Sequence, residues 1–83
     1  MAGVIGAIAY KGWTKVDYNY LKSGIQFASG GSTNGPTSSD YMVLTMGDND
    51  RVQLAISVST TIYAYVRSCV NSVWYRWYTI VLE

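Results

Sequence analysis

The chain has 83 residues, of which 49% are apolar and only 13% charged, with six Lys/Arg against five Asp/Glu, one cysteine and no histidine. A single domain this small buries only about 60–65% of its unfolded surface. Lone Cys69 excludes an internal disulfide, and the absence of histidine excludes a closed zinc site, so self-association is the remaining stabilising device.

The first stretch, "MAGVIGAIAYKGW", is apolar but lacks a basic leader, so it does not read as a signal peptide. It also falls short of the roughly 18 apolar residues that a membrane span needs. Glycines at 3, 6 and 12 among Val4, Ile5 and Ile8 describe a segment that packs closely against copies of itself. It is either the connecting end of a longer chain or the start of a short product. Residues 1–15 are accordingly taken as a connecting segment and 16–83 as the domain. The run "TKVDYNYLKSG" predicts one or two helical turns, with Asp17 as cap, Gly24 as terminator, and Val16, Tyr20 and Leu21 facing inward.

"SGIQFAS", Ser23 to Ser29, reads as a short strand. "GGSTNGPTSS", Gly30 to Ser39, is a loop longer than the usual four to six residues or so, and loops of that kind carry function or disorder. "DYMVLTM", Asp40 to Met46, is a strand with Met42, Leu44 and Met46 on one face, followed by the turn "GDND". In "VQLAISVST" the apolar Leu54, Ile56 and Val58 alternate with Gln53, Ala55, Ser57 and Ser59. The same parity continues as Ile62, Ala64 and Val66 against Tyr63, Tyr65 and Arg67. These two runs form a hairpin through Ser59 to Thr61. The last strand is "SVWYRWYTIVL". The fold class is mainly β: a small antiparallel sheet or sandwich with one short N-terminal helical turn, intertwined or packed as a trimer.

The alternation places Leu54, Ile56, Val58, Ile62, Val66 and Trp77 in the core and Tyr63, Tyr65 and Arg67 in an outward row. Trp74 and Trp77 are three apart, so on a regular strand they point to opposite faces unless a bulge intervenes. Trp74 then lies outward with Arg76, or at a subunit interface. Cys69 reads as a buried neutral thiol.

Catalytic chemistry finds little to work with. The acids are Asp17, Asp40, Asp48, Asp50 and Glu83, and the closest pair, Asp48 and Asp50, sits in a turn. Calcium would need further oxygen ligands and a distal glutamate. Without histidine there is no Ser-His or Cys-His pair, and the glycine-rich loop opens a strand rather than a phosphate-binding helix. No cofactor is implied. Lys11, Lys15, Lys22, Arg51, Arg67 and Arg76 are scattered, which argues against nucleic acid. Polar character comes mainly from Ser, Thr, Asn and Tyr, which fits an extracellular or virion protein.

The order of pieces resembles the pyocin-knob family of phage and phage-derived bacteriocin tail fibres. The resemblance rests on Asp17, Asn19, Leu21 and Gly24, then Asn34 with Pro36, Gln53, Tyr65 with Arg67, and a closing Trp74-x-x-Trp77, over about Val16 to Val81. The chain departs at Gln26 and Phe27, where the family often carries a tyrosine two positions after the glycine. The resemblance implies a non-enzymatic, homotrimeric module near the fibre tip on the virion. Such a module recognises bacterial surface glycans in host adsorption or only trimerises and registers the fibre. A free-standing lectin-like domain is a third reading. A glycan needs aromatic faces, amides, hydroxyls and a cation. The candidate ligand-binding residues are therefore Tyr63, Tyr65, Arg67 and Trp74, with Asn34, Thr37 and Ser38 from the loop.

Overall fold

The structure, a computed structural model, describes residues 12–81. Most of the proposed connecting segment therefore lies outside the described residues. The period-two runs form strands: β1 (Gly24–Ala28), β2 (Tyr41–Gly47), β3 (Arg51–Ser57), β4 (Ala64–Val70), β5 (Val73–Trp74) and β6 (Tyr78–Ile80). They make one antiparallel sheet in the order β1-β2-β3-β4-β5, with β6 also paired to β4. The expected mainly β class with a single short helical turn is what the chain adopts.

The turn between β2 and β3 shows its chemistry directly. Gly47 has φ +107°, and a Cβ there would lie 2.1 Å from the Asp50 carbonyl oxygen, so only glycine fits. The helical candidate shrinks to one 3-10 turn, Tyr18–Tyr20, and Asp17 caps it by accepting from the Asn19 N–H at 3.0 Å. Gly24 does not end a helix; it opens β1 at φ +136°. Tyr18, not Tyr20, goes inside: they are 1% and 80% exposed.

The core lies on the other face from the one the alternation indicated. Buried residues are Ala28, Tyr41, Val43, Thr45, Gln53, Ala55, Ser57, Arg67 and Cys69 on one face, with Tyr18 packed over them, and Ala64 on the other. Of the six residues expected in the core, Leu54, Ile56, Val66 and Trp77 are half-buried, while Val58 is 53% and Ile62 60% exposed. Trp77 does pack against the core cluster. The row Tyr63, Tyr65, Arg67 is correspondingly not an outward row; Arg67 is 6% exposed.

The physical reason is the covering layer. One face of the sheet is roofed by irregular chain, where Tyr18 N bonds Thr33 O, Thr33 N bonds Val16 O and Ser29 N bonds Thr14 O. Irregular backbone leaves carbonyls that no strand ladder satisfies, and buried ones require donors. An aliphatic row has none. Gln53 donates to Tyr18 O at 2.7 Å and Arg51 to Leu21 O at 3.2 Å. The polar row therefore lies under the roof, and among the described residues the aliphatic row lies on the more open face, where Trp13 packs edge-on to Phe27 with ring centroids 5.0 Å apart.

This inversion predicts opposite responses at two valine-like sites. Val43→Ala, fully buried, costs about 2 kcal/mol, whereas Ile62→Ser stays within about 0.5 kcal/mol of the parent. Urea denaturation midpoints check both; the reverse order would restore the alternation-based core.

Candidate functional site

Arg67, at mid-β4, has no room to reach solvent. Its Nε donates to Gln53 Oε1 at 2.8 Å and its Nη2 to Asn19 Oδ1 at 2.9 Å. Gln53, opposite it on β3, also bonds Thr45 Oγ1 at 3.2 Å. The guanidinium carbon sits 3.8 Å from the Trp74 ring centroid and 4.7 Å from that of Trp77. The cation is thus held by neutral amides and two indoles. Burial, the largest influence, pushes its pKa down to about 10.

Two tryptophans three apart reach the same guanidinium because the last strand carries a bulge. Trp74 pairs with Cys69 and Tyr78 with Val66, so Tyr75, Arg76 and Trp77 stand opposite only Arg67 and Ser68. One extra residue flips the side-chain alternation. Trp74 and Trp77 therefore both fall on the roofed face.

Further contacts tie the loop to this centre. Trp77 Nε1 donates to Asn34 O at 3.0 Å, and Asn34 Nδ2 donates to Asp17 Oδ1 at 2.9 Å. Asn34 is left-handed, φ +63°, a conformation asparagine tolerates. Of the eleven residues that carried the family resemblance, seven, Asp17, Asn19, Asn34, Gln53, Arg67, Trp74 and Trp77, meet in one connected unit. That unit is chiefly structural, since most of its polar atoms are already used.

The candidate ligand residues are consequently dispersed. Tyr65 is half-buried edge-on to Tyr41, with ring centroids 5.7 Å apart. Tyr63 is 52% exposed and lines a hollow of about 380 Å³ with Ser39, Asp40 and Tyr41. Thr37 bonds the Tyr41 hydroxyl and accepts from Ser39 N, while Ser38 is exposed and its carbonyl accepts from Gly31 N. Trp74 belongs to a different hollow, of about 460 Å³, lined also by Tyr20, Lys22, Asp48, Arg51 and Ser72. The structure brings Trp74 and Arg67 together, and Thr37 beside Tyr41, but does not gather the seven at one cleft. Tyr20, Lys22, Arg51 and Ser72 were not singled out by sequence reasoning. The available signal was the parity shared by Arg51 and Gln53. Among the described residues, no three His, Cys, Asp or Glu side chains cluster as metal ligands.

No family model, no curated protein and no solved structure matches the chain.

Two measurements test the buried unit. Arg67→Lys keeps the charge but loses the planar fork and the stacking. It should cost about 2–4 kcal/mol, partly from leaving Gln53 and Asn19 unpaired, as read by guanidinium denaturation followed through tryptophan fluorescence. Tyr18 places a buried hydroxyl without a partner against this unit, and burial, followed by nearby Tyr41, raises its pKa well above the ordinary 10. A raised folded pKa gives stability that is full below pH 10 and is lost as pH climbs toward the folded value. Tyr18→Phe should be neutral or up to about 1 kcal/mol more stable at pH 7. It should also lose less than the parent between pH 9 and about 11.5. Equal alkaline losses in both chains would refute the buried phenol.

Proposed function

We propose that this chain is a non-enzymatic knob module of a phage-type tail fibre: a homotrimer whose sheets pack together through their open faces, leaving the roofed faces and their loops outward to meet bacterial surface glycans. The observation that carries the reading is the open face itself. Among the described residues its strand side chains include Ile25, Met42, Leu44, Met46, Val52, Leu54, Ile56, Val66, Val70, Val73, Tyr78 and Ile80; none is itself charged, while the Arg76 guanidinium carbon lies 4.5 Å from the Tyr78 ring centroid. Ile25, Met46, Val52, Val70, Val73 and Tyr78 are each between 39% and 55% exposed.

A contiguous apolar surface across a whole sheet is an interaction surface. A second and third copy of the same chain fit it best: a largely apolar face finds its complement in another apolar face, and self-matching patches generate closed symmetric assemblies. Support for the fibre reading comes from the convergence of the resemblance residues on one folding unit. Shallow, hydroxyl-lined hollows with tyrosine and tryptophan at their edges support glycan contact. The assembly-only alternative shares the interface and lacks the ligand.

Light scattering of the purified chain at micromolar concentration should give about 28 kDa, three times its 9.2 kDa. Val52→Lys and Ile25→Lys replace side chains that are already partly exposed in the isolated fold, so each should dissociate the trimer while tryptophan fluorescence remains native. A parent chain that runs at 9 kDa removes the basis of the proposal. Binding of the intact trimer to susceptible cells, absent from an unrelated trimer, separates recognition from assembly alone.

A further inference from the structure

The bonds of Arg51 to the roof carbonyls belong to the scaffold, and the hollow around Trp74 has further features that those bonds do not explain. Arg51 enters it with its Nη1 aimed at the carbonyl oxygens of Leu21 (3.2 Å) and Asn19 (3.5 Å), while its buried Nε has no partner. Its guanidinium carbon lies 4.8 Å from the Trp74 ring centroid, which already carries Arg67 at 3.8 Å. Two cations on one indole repel each other, and Lys22 adds a third positive charge to the same surroundings. Tyr20 lines the hollow with a ring that is 80% exposed, costing solvation without serving the core.

The hollow's edge supplies a second, independent observation. Asn71 (φ +51°) and Ser72 (φ +65°) form the two-residue turn joining β4 to β5, with both residues left-handed. Such turns favour asparagine first and glycine second. Ser72 occupies the glycine position and lines the hollow. A side chain kept where the backbone disfavours one points to a use for its hydroxyl.

The geometry points to this hollow as a subsite for one carboxylate-bearing sugar residue. The carboxylate meets Arg51 and Lys22, the pyranose ring lies against Tyr20 and Trp74, and ring hydroxyls bond Ser72 and Asp48. A guanidinium binds carboxylate by paired hydrogen bonds, and aromatic faces accept the C–H face of a sugar. Asp48 lies on the same wall, where its carboxylate accepts hydrogen bonds from ring hydroxyls. The volume, about 460 Å³, suits a small ligand. The inference rests on the glycan-recognition reading and gives that reading a location and a charge.

The test is a nuclear magnetic resonance titration of the full chain with methyl β-glucuronide, methyl β-glucoside and glucose 6-phosphate, each as a separate probe. The glucuronide should shift the amides of Tyr20 and Ser72 and the Trp74 indole, with a dissociation constant on the order of 1 mM. The glucoside should bind at least about tenfold more weakly, because it lacks the charge-assisted bonds, and glucose 6-phosphate should fall between. Tyr20→Ala and Lys22→Gln, both on exposed side chains, should each weaken glucuronide binding by roughly five- to tenfold. Ser72→Gly should weaken binding while raising the thermal midpoint. Equal responses to glucuronide and glucoside, tighter binding of the phosphate, shifts centred on Tyr63, or unchanged affinity in the Tyr20 and Lys22 variants would each overturn the subsite. If the parent binds bacterial surface polysaccharide and Tyr20→Ala binds it equally, the subsite fails alone. If the parent binds none of the probes and no polysaccharide, the recognition reading fails with it.

Discussion

The structure depends on finding a place for one cation inside a domain with few charges. Arg67 lies at the centre of the sheet, beneath a layer of irregular chain, and it stays there because each surface of its guanidinium is occupied. Amide oxygens of Gln53 and Asn19 take its edge, and the rings of Trp74 and Trp77 lie against its planes. Burying a charge is costly unless it is stacked and bonded. Here the cost is offset by making the cation a hub: the 3-10 turn, the β3–β4 pair, the last strand and, through Trp77 and Asn34, the long loop all attach to it. Trp74 and Trp77, which as sequence were assigned to opposite faces, are together the clamp on this hub.

The consequence is a sheet with its faces exchanged relative to ordinary expectation. Half-buried sheets turn aliphatic residues inward. This one turns Gln53, Thr45, Ser57 and Arg67 inward because the layer above is backbone-rich and needs donors. On the opposite face the aliphatic side chains Ile25, Met46, Val52 and Val70 stay 39–47% exposed.

Much of the fold was legible. The period-two runs located β1 to β4, Gly47 to Asp50 read as a turn, and Asp17 read as a cap. What was not legible was which side of the sheet is inside. Periodicity reports that two faces differ, and it does not report which one is covered within the chain. The rule that apolar means inside fails here because the covering chain presents carbonyls that need donors, which selects the polar face. The bulge at Tyr75 to Trp77 was likewise open, since one inserted residue leaves no mark in a run where both parities are aromatic. The loop contributed Asn34 to the clamp rather than to a surface site. The hollow at Trp74 draws on three separated turns, and no spacing in the chain announces that.

The enclosure of Arg67 can be observed directly by nuclear magnetic resonance of the side-chain Nε–H protons. The account predicts a slowly exchanging, well-resolved Arg67 Hε signal with dipolar contacts to the indole protons of both Trp74 and Trp77, while Val58 and Ile62 methyls show none to either ring. An Arg67 Hε that exchanges as fast as that of exposed Arg76, with the indoles instead contacting Val58 and Ile62, would contradict it.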